Sequence, residues 1–341
     1  MTEPHGVDAV KGVGHVDAAG TTHTAGTADT VDAATGLAGA AAERAGVAIA
    51  EVHELDHLRE ITRVIEAVWH RRHQPLPVDT LRALAHSGSC VLAAWSGSEM
   101  VGASISFRGV HEGRPSLHSH ITGIVPDLQL RGAGYALKLW QRAWALSHGI
   151  DVVTWTFDPL IARNGHFNLS KLGADADGYL VDFYGPLHDE INGDDATDRL
   201  FAVWRLTSPR VSGALSGAVR IPAVAALRAG GAHVALDAGR DGHPLPGGME
   251  AAAAAGPQAG SGAAASPLPA QDSARTDRMG VLVRVPDDIV AVRRADRRCA
   301  DSWRSEVREA MTALFGRGLR PLAVVPPGWY VFGPAGSGWP G

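Results

Sequence analysis

One stretch constrains this chain more than any other: GIVPDLQLRGAGYALKLWQRAWALSHG, residues 123–149. A strand-like run meets a loop containing Gly132 and Gly134, then becomes an amphipathic helix. Glycine lets a backbone approach a ligand with no side chain in between. The first amides of a helix have no intrahelical partner. Together with the helix dipole they favour an anion, most naturally a phosphate. Arg131 adds a positive charge beside them. An ordinary strand-to-helix turn would also account for these residues, so the surrounding pattern has to discriminate.

That pattern alternates between the two periodicities of regular structure. VAIAEVH reads as a strand and LDHLREITRVIEAVWHRR as a helix with Leu58, Ile61, Val64 and Ile65 on one face. PVDTLRALAHSG is a shorter helix ending at Gly88, and CVLAAWSGSEMVGASISFRGV is two strands about a polar turn. SLHSHITGIV leads into the glycine loop; beyond it come the strand DVVTWTF, the helix IARNGHFNLSKLG and the strand FAVWRL. Three strands in hairpin succession imply an antiparallel half, and the strand–helix–strand that follows implies a parallel crossover. The expected fold is α+β: a mixed, partly antiparallel central sheet flanked by helices.

Composition sets the limits of this domain. Residues 1–45 are rich in Ala, Gly, Thr and Asp with few large apolar groups, which predicts a disordered N-terminal tail. The main domain is expected over 46–210. Residues 211–277 read as an irregular segment with an Ala/Gly/Pro/Ser-rich linker at 251–277. Residues 278–341 read as a C-terminal β-α-β module packed on the main sheet, with Trp303, Val307, Met311 and Leu314 lining its helix.

The 341 residues carry a formal net charge of -5, which argues against a nucleic-acid binder. No apolar run is long enough to span a bilayer and the start lacks the pattern of a secretory leader, so a cytoplasmic protein is expected. Two distant cysteines, Cys90 and Cys299, make neither a disulfide framework nor a four-cysteine zinc site. The His-x-His of His118 and His120, with His111 nearby, lacks a completing carboxylate or cysteine at a recognisable spacing, and no metal is expected.

Two familiar phosphate loops do not fit. A dinucleotide loop needs a third glycine where Leu137 stands, and a triphosphate loop needs Gly-Lys-Ser/Thr. What remains is Gln129-Leu130-Arg131-Gly132-Ala133-Gly134, preceded by Pro126. This resembles the pyrophosphate loop of the GNAT acyltransferases, which bind acyl-coenzyme A. The longer run HSHITGIVPDLQLRGAGYALKLWQRAWALSHGIDVVTWTFDPLIARNGHFNLSKLGA and the C-terminal VRVPDDI…WRSEVREAMTALFGRG resemble one bacterial subgroup of predicted GNAT acetyltransferases. The likeness covers roughly residues 47–333 without the linker.

The resemblance implies an N-acyltransferase that uses acetyl-CoA, or another acyl-CoA, to acylate an amine of a small molecule by direct attack. It implies coenzyme contacts from Ile124, the loop residues Gln129 to Gly134, Tyr135, Asn164 and Asn168. A non-catalytic acyl-CoA-sensing module is the alternative, and a homodimer remains an open assembly. Two departures matter. Leu130 replaces a frequent glycine, and Leu169 stands where many family members carry a tyrosine that protonates the leaving thiolate.

The chemistry then calls for a base, an acid and amide donors. A lysine-like amine is about 3.4 pH units short of deprotonation at neutrality, roughly 4.6 kcal/mol, which a base can offset. His118 and His120 are candidate bases, on the expectation that they share a strand face with Thr122 beside the loop. Structural histidines, with a base such as Glu51 acting through water, would serve equally. Tyr179 and Tyr184, which follow the coenzyme helix, are candidate acids. Asp158-Pro159 is read as shaping a turn, Trp140, Trp144 and Trp155 as packing, and Arg71 and Arg72 as a basic helix end bordering the acceptor pocket.

Overall fold

The computed structural model describes residues 25–69, 76–126, 132–185, 196–247 and 280–336. Its main sheet has seven strands in the order β1-β2-β3-β4-β5-β7-β6. These are Ala48–Glu51, Val91–Ser96, Glu99–His111, Arg114–Ile124, Val152–Phe157, Asp175–Leu180 and Arg199–Arg205 for β1 to β7. Every neighbouring pair is antiparallel except β4 and β5. This is the sheet the GNAT resemblance implies, and the fold is GNAT-type α+β.

Strand alternation sends side chains to opposite faces, so this sheet carries two cores. Val91, Ala93, Ala103 and Ile105 face α2 (Leu55–Trp69) and α3 (Val78–His86), which contribute Leu58, Ile61, Val64, Ile65 and Leu81. Leu92, Ala94, Val101 and Leu117 face α4 (Ala133–Ser147).

Residues 25–45, expected within a tail, form the helix α1 (Ala25–Ala45) against α4. Ala34, Ala38, Ala41, Ala42 and Ala45 are buried along one stripe. Alanine has the highest helix propensity and its small side chain allows close approach to a neighbour. A composition count that looks for bulky residues misses both properties. Residues 1–24 lie outside the described residues, as does the linker at 251–277.

The C-terminal part is larger than a β-α-β module. β8 (His233–Ala238) and β9 (Pro244–Pro246), from the segment expected to be irregular, join β10 (Val281–Arg284), β11 (Leu319–Val325) and β12 (Trp329–Pro334) in a second sheet ordered β11-β12-β10-β8-β9. β8 pairs in parallel with β10, a partner far along the chain that no local pattern announces. Two short helices in the same stretch, α6 (Pro209–Ser216) and α7 (Val224–Ala229), connect the sheets; α8 (Ile289–Ala295) and α9 (Arg297–Gly316) follow β10. Among the described residues no helix is long and apolar enough to cross a membrane.

The two sheets meet around α5 (Ala162–Gly165), which runs on as a π-helical turn, His166–Lys171. Val324 of β11 accepts from Ser170 Oγ (3.1 Å) through its carbonyl and donates to the same oxygen through its amide (3.0 Å). Tyr330 OH donates to the Pro159 carbonyl at 2.9 Å. A Cβ on Gly165 would lie 2.4 Å from that phenol oxygen, so glycine is required where the sheets touch.

Candidate active site

β4 and β5 pair at only two positions, Leu117 with Val153 and His118 with Thr154. Beyond those the strands part, and a cleft of about 490 Å³ opens between them. One wall is the end of β4 from Ser119 to Ile124; the other runs from Trp155 to Asp158. Gly134 and Lys138 of α4, Asn164 of α5, Asn168 of the π-helical turn that follows it, Tyr184 and Arg199 complete it. The volume suits a small-molecule site.

α4 begins at this cleft. Its N-cap is Gly132, at φ 101°, a left-handed conformation that disfavours any side chain, and no side chain caps the helix. The amides of Ala133, Gly134 and Tyr135 are therefore the first-turn donors. A Cβ on Gly134 would meet only Ile124 Cγ1, at an ordinary 3.9 Å. Protein packing does not demand glycine there, and its position is open to the cleft. Gln129, Leu130 and Arg131 lie outside the described residues, as do Arg71 and Arg72. Ala133 is fully buried and can serve only through its backbone, while Tyr135 is half-buried and packs edge-on against Phe167 at 6.4 Å.

The histidines are separated by a β-bulge. Ser106 pairs with Ser119, yet Ile105 pairs with Ile121, which leaves His120 as the extra residue. Parity shifts after the bulge, so Thr122 does not share a face with His118. It turns to the α4 side, where its Oγ1 lies 2.9 Å from Ser104 Oγ. His118 Nδ1 is 3.2 Å from Thr154 Oγ1, off the cleft wall. Burial, with His120 and Lys138 nearby, holds its pKa down to about 4, so it stays neutral at ordinary pH. His120 reaches the cleft.

The two tyrosines also part company. Tyr179 is off the cleft wall and donates to Asp198 Oδ2 at 2.7 Å, while Arg308 of α9 grips Asp198 with bonds of 2.8 and 2.7 Å. Burial and Asp198 push its phenol pKa far up, which does not fit a proton donor to substrate. Tyr184 lines the cleft, is 40% exposed, and lies 2.9 Å from Thr156 Oγ1. Asn164 and Asn168 both face the cleft; Leu169 is buried in the core.

Three features escaped the sequence reading. Lys138 is buried in the cleft floor, where Nζ donates to Gln141 Oε1 (2.6 Å) and Ser119 Oγ (3.2 Å). Gln141 Nε2 in turn donates to Ser106 Oγ (2.5 Å) and Ser119 Oγ (3.0 Å). Trp155, read as packing alone, lies under Lys138 Nζ at 3.8 Å and forms part of the wall. Asp158 bonds the Leu160 amide, as a turn residue should, but also takes both terminal nitrogens of Arg304 from α9 at 2.7 and 2.8 Å. The only legible trace was Lys138 and Gln141 at i, i+3 on the apolar side of α4. Among the described residues no group of three or more metal-ligating side chains forms.

The sheet order and the glycine-headed helix beside the parted strands define the class of fold, which is GNAT-type. No protein-family model matches the chain, and no curated protein does. Solved structures do. A Desulfovibrio desulfuricans protein assigned to the GNAT family is similar at 17% identity over 47% of this chain and 99% of that one, with a TM-score of 0.37. A Salmonella typhimurium protein solved with its cofactor acetyl-CoA is similar at 17% identity, covering 48% and 98%, with a TM-score of 0.39. An aminoglycoside 6'-acetyltransferase type Ii is similar at 12% identity, covering 47% and 98%, with a TM-score of 0.38.

A bulky side chain at Gly134 should fill the approach to the α4 amides. Gly134→Val is expected to abolish coenzyme A binding in isothermal titration while thermal unfolding stays close to wild type. Gly132→Val should do both kinds of harm, because its positive φ adds roughly 1–2 kcal/mol of strain.

Proposed function

We propose that the chain is an acyl-CoA-dependent N-acyltransferase, with acetyl as the simplest acyl group, acting on an amine of a small molecule by direct attack. The parting of β4 from β5 beside a helix start capped only by glycine carries this reading. The α4 amides and dipole suit the pyrophosphate. Ile124 pairs with β3 on one side and has no pairing with β5 on the other, so its outward backbone groups need other partners, which the amides of a pantetheine arm can supply. Asn164 and Asn168 offer side-chain amides from the opposite wall. Gln129 to Arg131 are assigned to the same loop by the motif.

His120 is the base this reading assigns, since it alone of the two histidines borders the cleft. Tyr184 stands at the exposed rim, where the acceptor enters. A sensing module without catalysis is the competing reading, favoured only by Leu169 in place of a tyrosine. Thiol release separates the two: acetyl-CoA with a panel of amino acids, polyamines and aminoglycosides should yield free coenzyme A. His120→Ala should lower turnover about 10²–10⁴-fold with coenzyme binding retained. Wild-type turnover and an unshifted pH profile in that variant would place the base elsewhere.

A further inference from the structure

The chain's 31 lysines and arginines include only three lysines: Lys11, Lys138 and Lys171. Arginine keeps its proton under working conditions, whereas lysine can release one. The one lysine buried among the described residues, Lys138, is 4% exposed and faces the cleft. It marks the point where the strands separate. Ser119 is the first β4 residue past the last pair with β5, Trp155 is the first on β5, and Nζ contacts both.

No carboxylate pairs with Lys138 among the described residues. The ionisable groups around it are the Cys90 thiol ahead of β2, His118 and His120 on β4, Arg142 one turn along α4, and Asp158 and Arg199 on the cleft wall. Burial holds the ammonium pKa down to about 7, with Cys90 opposing.

The reach is right for the sulfur. From Ile124 back to Ser119 β4 advances four ladder positions, opposite Gly102 to Ser106, or about 13 Å at the usual rise per residue, within the reach of an extended pantetheine arm. A coenzyme with its pyrophosphate on the α4 amides and its arm along β4 brings its thioester to Nζ. The other acids are badly placed: Leu169 is buried and aliphatic, Tyr179 is committed to Asp198, and Tyr184 sits at the rim.

We propose that Lys138 protonates the coenzyme A thiolate as it leaves, an assignment that rests on the acyltransferase reading. The acceptor nitrogen bonds to the thioester carbonyl carbon. The carbon–sulfur bond breaks with its electron pair on sulfur, and a proton passes from Nζ to sulfur. The nitrogen's surplus proton leaves through His120 to solvent, and Lys138 regains one from solvent, so atoms and charge balance.

The test uses the full chain. Lys138→Met should lower kcat about 10²–10⁴-fold with the Kd for coenzyme A unchanged. Wild-type kcat should fall as pH rises through the lysine titration, and that descending limb should vanish in the variant. Lys138→Arg keeps the charge but cannot release the proton, so it should not restore turnover. With three lysines, selective isotope labelling also resolves the Nζ titration of wild type in the coenzyme A complex. Wild-type kcat in Lys138→Met, rescue by Lys138→Arg, or an Nζ titrating in the ordinary lysine range each overturns the proposal. A wild-type chain that releases no thiol with any amine overturns the acyltransferase reading itself, an outcome distinct from an active enzyme indifferent to Lys138.

Discussion

Arg304→Met is expected to destabilise the protein by about 3–5 kcal/mol, the cost of leaving a buried carboxylate without its partner. Asp158 and Arg304 are both almost fully buried and joined by two bonds of 2.7 and 2.8 Å. Burial alone would raise the Asp158 pKa. Arg304's charge and hydrogen bonds outweigh that and hold it below the usual carboxylate value. The folded pKa is depressed, so the pair's contribution is present above the unfolded carboxylate pKa and is lost as pH falls through the lowered one. Urea unfolding of Arg304→Met and of the Asp158→Asn/Arg304→Met double variant checks this. The double variant should recover much of the loss, since no uncompensated charge remains. Equal losses in both would show that packing rather than charge is at stake. Because Asp158 also lines the cleft, the single variant should weaken coenzyme binding as well.

Lys138→Met is expected to stabilise the fold while it harms catalysis. Desolvation lowers the lysine from 10.5 to about 7. That gap corresponds to roughly 5 kcal/mol of cost to the folded state near neutral pH. Stranding Gln141 Oε1 gives back about 1–3 kcal/mol, leaving a net gain of about 2–4 kcal/mol. The sign with pH follows from where each state binds the proton. Between about 7 and 10.5 the unfolded chain keeps it and the folded chain has released it, so wild-type stability rises with pH across that window. The variant should lack this slope. Denaturant unfolding of both proteins at several pH values across the window measures it; parallel curves would mean that Lys138 is solvated.

Some of this was open to reading in one dimension. The helix faces of Leu58, Ile61 and Ile65 and of Trp303, Val307 and Met311 follow from spacing along a single element, and all six are buried. The main strand order follows from consecutive patterns, because neighbours in sequence are mostly neighbours in that sheet. α1 was missed because an alanine stripe buries little area per residue and becomes a core only against α4. β8 and β9 were missed because their partner β10 is remote in the chain.

The amino-acid sequence by itself determined the glycine-headed start of α4 and the alternation that builds a mixed sheet, since backbone freedom and side-chain periodicity are local properties. Only the tertiary structure decided which groups meet in the cleft. A single extra residue at His120 turns Thr122 to the other face, the separation of β4 from β5 opens the site, and tertiary packing commits Tyr179 to Asp198 and Asp158 to Arg304 of α9. Lys138 is an unremarkable helix lysine until Trp155, Ser119 and Gln141 close around it. Desolvation depends on what surrounds a charge in three dimensions, and that is not written at its own position.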